Sequence, residues 1–146
     1  MVDVNIFLWV SSIIYFESAA VSTPLTFRSS TGHTFRAGRN NRQNDLLTGK
    51  LAARTDTWLH AQKISGCHVV IACENGAPDE TTLGEAAVVA ATLSRGAQSP
   101  KVPVDYTQVK FVKKPPGAKP GMVIYDNFKT ILAQPDPKLL ERLRSS

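Results

Sequence analysis

Cysteine is nearly missing from this chain, with only Cys67 and Cys73 among 146 residues. Two thiols cannot build a disulfide framework. Six residues apart in an apolar run, they would share one face of an extended strand about 20 Å from each other, beyond the reach of a bridge. No Cys-x-x-Cys or His-x-x-x-His spacing accompanies them, so neither a metal nor a cofactor is expected. Both read as small buried hydrophobes of a reducing compartment, and a cytoplasmic location follows. Also missing are a Gly-x-Ser-x-Gly elbow and an acidic pair at metal-binding spacing, which removes the common hydrolase designs.

Long apolar runs are scarce as well. The most apolar stretch, Val4 to Phe16, is interrupted by Asn5, Ser11 and Ser12 and falls short of the ~20 residues that span a bilayer. Stable membrane insertion is not expected. Residues 1–24 therefore form an apolar leader ending at Thr23-Pro24, and four roles stand open for it. It could be a signal sequence cleaved near Ser18-Ala19-Ala20, but no Lys or Arg precedes the run and Asp3 does, which is the wrong flank. A peripheral anchor and an extension upstream of a later start are two others. The fourth, preferred here, is a segment packed on the core or covered by a protein partner.

Basic charge is what the chain has in excess, and it is unevenly placed. All 17 Lys and Arg lie from Arg28 onward, where 10 acids accompany them, giving +7 against +5 for the whole chain. Such an excess concentrates polyanions and can supply most of a non-specific nucleic-acid affinity. With 42% hydrophobic and 20% charged residues, the composition is that of an ordinary soluble globular protein. Residues 25–146 suffice for one domain with a real core.

The pattern along that domain predicts an α+β fold, mostly antiparallel, with about six or seven strands and three helices. Leu25 to Arg28 and His33 to Ala37 alternate apolar and polar residues about Ser29-Ser30-Thr31-Gly32, which predicts a hairpin. A helix follows with Asn41 or Asn44 as its cap and Leu46, Leu47 and Leu51 inward. Thr57 to Gln62 is a strand with Trp58 and His60 on one face. Cys67 to Cys73, built on Val69-Val70-Ile71, is a buried strand. Pro78-Asp79-Glu80 opens a helix to about Ser94 with Leu83, Ala86, Ala87, Ala90 and Leu93 on its apolar face. Val102 to Val112 is a strand, Met122 to Tyr125 and Lys129 to Ala133 a second hairpin, and Pro137 to Arg144 a terminal helix.

Three constellations could carry function. Gly38-Arg39-Asn40-Asn41-Arg42-Gln43-Asn44-Asp45 places two guanidiniums and several amides where a strand gives way to a helix N-terminus, which suits a phosphate. Asn40, Asn41 and Asn44 could add base-edge or ribose contacts; capping the helix is the other reading of Asn41 and Asn44. Asp56-Thr57-Trp58-Leu59-His60 with Gly66-Cys67-His68 offers either an aromatic platform for a base or a core tryptophan with satisfied histidines. An acid–base role for Asp56, His60 and His68 in an RNA-processing or RNA-modifying enzyme is the minority alternative, and no catalytic residue is assigned. Lys110 to Gly121 carries Lys110, Lys113, Lys114 and Lys119 in a loop stiffened by three prolines. Pre-ordering of that kind lowers the entropy cost of laying a basic loop on a phosphate backbone.

Taken in order, several strings resemble the NFACT-R domain. They are Phe27-Arg28-Ser29-Ser30-Thr31-Gly32, Gly38-Arg39-Asn40-Asn41 through Asn44-Asp45, Asp56-Thr57-Trp58-Leu59-His60 and Gly66-Cys67-His68-Val69-Val70-Ile71. Lys101-Val102-Pro103-Val104-Asp105-Tyr106 and Val112-Lys113-Lys114-Pro115-Pro116-Gly117-Ala118-Lys119-Pro120-Gly121 complete the series, so the likeness covers about Leu25 to Arg144. That domain is the RNA-binding part of proteins labelled fibronectin-binding protein A and of ribosome-associated quality-control factors. The resemblance implies an RNA-binding module that grips tRNA or ribosomal RNA, with the large ribosomal subunit as a partner and no catalysis of its own. Arg39, Asn40, Asn41, Arg42, Asn44, Trp58, His60, His68, Lys113, Lys114 and Lys119 would line the RNA. Relatives add an NFACT-N domain, helix-hairpin-helix modules and a coiled coil, none of which occurs in these 146 residues, so elongation of a nascent chain does not carry over. A surface adhesin, suggested by the family label and the leader, is the third alternative.

Overall fold

The computed structural model describes residues 23–74 and 76–145. The reading of residues 1–24 as a leader thus falls almost wholly outside the described residues. The elements in chain order are β1 (Leu25–Arg28), β2 (Thr34–Ala37), α1 (Asn41–Leu46), β3 (Thr57–Ala61), β4 (Val69–Ile71), α2 (Glu80–Thr92) and β5 (Val102–Gln108). There follow β6 (Val112–Lys113), β7 (Ile124–Tyr125), β8 (Lys129–Ala133), α3 (Pro137–Leu143) and β9 (Arg144–Ser145). Seven strands form one antiparallel sheet in the order β9-β1-β2-β4-β3-β5-β8, and β6 and β7 make a separate antiparallel ribbon. The α+β expectation is met in architecture and strand count.

Strand alternation decides what lies on each side of the sheet. Phe27, Phe35, Ala37, Leu59, Ala61, Val69, Ile71, Val102, Val104 and Ala133 face α2 and form the main core. Ala86, Ala87 and Ala90 of α2 are fully buried there, and their small side chains let the helix sit close to the sheet. Asp79 caps α2 by accepting from the Thr82 hydroxyl and amide, which hold its carboxyl down at about 2. Cys67 and Cys73 are buried, free thiols in the same core. On the opposite face, Leu47, Trp58, Val70 and Val109 form a second, smaller core under the β6–β7 ribbon.

Four local expectations are corrected. The cap of α1 is Asn40, not Asn41 or Asn44: its extended backbone lets Oδ1 accept from the Gln43 amide at 2.9 Å. After Leu46 the helix widens into a π turn over Leu47–Leu51, closed by Ala52 N–H to Leu47 O at 2.9 Å. The extra residue rotates Leu51 out of phase, so it is 50% exposed while Leu47 is buried. The strand begun at Val102 stops at Gln108, because Val109 and Lys110 turn their amides toward the carbonyls of Asp56 and Arg54. Met122–Tyr125 and Lys129–Ala133 are not a hairpin. Ile124–Tyr125 pairs with Val112–Lys113, while Lys129–Ala133 pairs with β5, and the Thr107 hydroxyl, 3.1 Å from the carbonyls of both Asp126 and Asn127, holds the crossing.

Gly38 and Asn44 lock the start of α1 to β4. The buried Asn44 Oδ1 accepts from the His68 amide at 3.0 Å, and Gly38 N–H donates to His68 O at 3.0 Å. A β-carbon on Gly38 would collide with the Asn44 carboxamide and lie 2.9 Å from its backbone nitrogen. Asn44→Ala should lose about 1–3 kcal/mol by orphaning the His68 amide. Gly38→Ala should be at least as costly, yet the double variant should cost about 1 kcal/mol less than the sum, since truncating Asn44 makes room. Urea denaturation of the four proteins measures this coupling; strict additivity would contradict the lock.

Candidate nucleic-acid interface

The second face of the sheet carries a cleft of about 530 Å³ walled by aromatic rings and by the two basic loops. Trp58 and His60, two apart on β3, project side by side with ring centroids 5.8 Å apart and planes within 7°. His68, one residue ahead of β4, stands edge-on to both, at 5.4 Å from Trp58 and 5.6 Å from His60. Tyr125 of β7 leans on Trp58 at 4.7 Å and is itself met edge-on by Phe128. Trp58 has no exposed surface, so it backs the cleft; His60 and Tyr125 present the partly exposed ring surface.

Hydrogen bonds fix the tautomers. A carbonyl can only accept, so His68 Nε2–H donates to Gly121 O at 3.1 Å and its Nδ1 accepts from the Thr48 hydroxyl at 2.8 Å. His60 Nδ1–H donates to its neighbour Ala61 O at 2.6 Å. Burial is the main reason that both imidazoles titrate below the ordinary histidine value of 6.5. For His68, the nearby His60 adds to burial and brings it to about 4. The aromatic wall is therefore uncharged near neutral pH.

Behind the wall lies Asp105, 1% exposed, opposite His60 on β5. It accepts from Tyr125 OH at 2.6 Å, Thr130 Oγ1 at 2.7 Å and Gln62 Nε2 at 2.9 Å. Burial first, then the bond to Asp105 and its charge, push the Tyr125 phenol above its usual range, so it remains a donor. Asp56 serves the backbone, since its two oxygens accept the amides of Ala53 and Cys73 at 2.9 and 3.0 Å. Both carboxylate oxygens of Asp56 are thus engaged by backbone amides, and no bond from Asp56 to His60 or His68 is seen among the described residues.

The structure brings the two basic loops together, although 76 residues separate Asp45 from Gly121. Asp45 Oδ1 accepts from the Gly121 amide at 2.9 Å and from Lys114 Nζ at 3.2 Å. Gly121 has φ +83°, and a β-carbon there would come within 2.7 Å of Asn41 Oδ1. Lys114 also donates to the carbonyls of Lys119 and Met122, at 2.6 and 3.3 Å. Its ammonium thus serves first to staple the loop. Asn40 is spent on capping and Asn44 on the His68 amide, while Asn41 lies in the cleft wall. Arg39, Arg42, Lys113 and Lys119 remain exposed, and none forms an ion pair among the described residues.

Tyr125, Asp105, Thr48 and Asp45 were not among the predicted site residues, although Asp45 and Asp105 stand in the strings that carry the resemblance. The one signal was Asp105 itself, a carboxylate inside the alternating strand Val102 to Gln108. Among the described residues no group of three His, Cys, Asp or Glu could hold a metal, and no helix is long and apolar enough to cross a membrane.

An antiparallel sheet with α2 and α3 on one face, and α1, the β6–β7 ribbon and an aromatic cleft on the other, defines a small α+β binding domain. The chain belongs to the NFACT protein RNA binding domain family, whose model matches residues 23–127. It is 49% identical over 121 residues to the protein named Rqc2 homolog RqcH of Bacillus subtilis (strain 168), covering 83% of this chain and 21% of that one. Against the Rqc2 homolog RqcH of Streptococcus pneumoniae serotype 2 (strain D39 / NCTC 7466), identity is 43% over 109 residues, 75% of this chain and 20% of the relative. This chain thus spans about a fifth of the length of these curated relatives. Among solved structures, the C-terminal part of the fibronectin/fibrinogen-binding protein from Streptococcus suis superposes with a TM-score of 0.81 at 35% identity. That match covers 85% of this chain and 50% of the other.

A folded-state histidine held near 4 makes stability depend on pH. The contribution of neutral His68 is fully present above 6.5 and is lost as pH falls toward about 4, because the unfolded chain takes up the proton first. The loss should be on the order of 3 kcal/mol over that window. His68→Gln, which can still accept from Thr48 and donate to Gly121, should flatten that part of the profile. Urea titrations in half-unit steps from pH 7 to 4 check it; equal slopes in the two proteins would refute the assignment.

Proposed function

We propose that this domain grips RNA, tRNA or ribosomal RNA, within ribosome-associated quality control of stalled translation in the cytoplasm, and catalyses no reaction of its own. The single observation that carries this reading is the docking of two basic loops on one rim. Asp45 and Lys114 hold them in place beside the aromatic cleft, which Asn41 of one loop and Pro120 and Gly121 of the other help to line. Arg39, Arg42, Lys113 and Lys119 of these loops stay exposed without carboxylate partners among the described residues. A rim already ordered loses little entropy when it meets a phosphate backbone. The neutral imidazoles and the Tyr125 ring offer a surface on which a base can stack without repelling the cations around it. Membership in an RNA-binding family and likeness to proteins named Rqc2 homolog RqcH support the quality-control setting. The large ribosomal subunit is the partner this reading favours.

Affinity from phosphate contacts carries a salt signature. The anisotropy of labelled tRNA, followed from low to moderate salt, should show log K falling steeply with log[salt]. Arg39→Ala combined with Lys113→Ala should weaken binding at low salt and reduce the slope by about 1 to 2. A salt-insensitive affinity, or one unchanged in the double variant, would sink the proposal. The same samples, held for hours and checked for cleavage or mass change of the tRNA, test the expectation that no reaction occurs.

A further inference from the structure

A second cleft, of about 600 Å³, adjoins the aromatic one and shares Asn41, Ser65 and Gly66 with it as a dividing wall. Three arginines line it: Arg39 from the end of β2, Arg95 from just past α2, and Arg144 from β9. Their backbones are pinned independently. The Arg39 amide donates to Gln43 Oε1 at 2.7 Å, the Arg95 amide to Ser65 O at 2.9 Å, and Arg144 lies opposite Phe27 in the sheet. No Asp or Glu lines this cleft, and none of the three guanidiniums forms an ion pair among the described residues. Three arginines lining one concavity, with no carboxylate in its wall, make the local field attractive to an anion. The C-terminal end of α2 opposes this with only about half a charge, against three full ones.

Resting on the RNA-binding reading, we propose that the two clefts are one composite site for a single unstacked nucleotide of single-stranded RNA. The base enters between His60 and Tyr125, and its phosphate lies across the wall among Arg39, Arg95 and Arg144. The chemistry on the two sides matches that division. The base side is walled by aromatic rings and neutral imidazoles, with Lys63 as its one charged lining residue. The phosphate side offers three planar guanidiniums suited to bidentate contact with phosphate oxygens. Asn41, in the dividing wall, has an amide suited to a ribose hydroxyl or a base edge. The phosphate half comes from segments more than a hundred residues apart.

The test uses the whole chain and three probes: adenosine, inorganic phosphate and adenosine 5′-monophosphate, followed by amide NMR shifts. Adenosine should move the resonances of the His60 and Tyr125 region, phosphate those of the Arg95 and Arg144 region, and the nucleotide both sets together with the tightest binding. Arg95→Ala with Arg144→Ala, both exposed positions, should weaken a single-stranded hexaribonucleotide roughly tenfold or more at low salt and lower its salt slope by about 0.7 per phosphate lost. A nucleotide that moves only one set, or a hexamer affinity unchanged in this variant, overturns the composite site. If Arg39→Ala with Lys113→Ala still weakens tRNA binding, the RNA-binding reading survives that result. If it does not, both fall together.

Discussion

The hydrogen bond from the His68 amide to the buried side chain of Asn44 is the contact on which the rest of the functional face depends. It joins the first helix to the start of a central strand, and Gly38 is the residue that lets the two approach so closely. With its backbone fixed, the His68 ring reaches Thr48 on one side and Gly121 on the other, and so passes the constraint to a loop fifty residues downstream. The placing of the basic loop is therefore an outcome of core packing as much as of surface charge.

Near this face the carboxylates are engaged in holding structure. Asp45 anchors the Gly121 loop, Asp56 satisfies two backbone amides, and Asp105 gathers three side-chain donors behind the aromatic wall. Lys114 is the one described lysine that meets a carboxylate, so the neighbouring cations stay available to solvent or a polyanion. Keeping the histidines uncharged has the opposite purpose. A protonated imidazole would be costly in a buried wall, and a neutral ring stacks at no electrostatic cost.

Much of the fold was legible because short strands with strict alternation admit few alternatives. Leu25–Arg28, Thr34–Ala37, Thr57–Ala61 and the buried Val69–Ile71 lie where the pattern put them, and Pro78-Asp79-Glu80 marked the long helix within two residues. The errors arose where long-range contacts overrode local pattern. Val109 and Lys110 left the sheet to satisfy carbonyls of a preceding loop, and the π turn moved Leu51 outward. The basic loops were legible as strings, but their meeting was not, since nothing in either string names Asp45 as their joint. Arg95 and Arg144 were invisible for the same reason: each is an isolated arginine until the sheet closes.

The final two-residue strand pairs Arg144 with Phe27 and Ser145 with Thr26, so the described chain enters and leaves at one corner of the sheet. Mechanically this is a zipper. Tension applied between the two ends loads one pair of bonds at a time instead of shearing a whole ladder. The first thing peeled away is the strand bearing Arg144, while Trp58 and His60 sit on an interior strand and His68 directly precedes another, out of reach of the pull. A tug on the ends thus acts on the arginine-lined cleft before it disturbs the aromatic one.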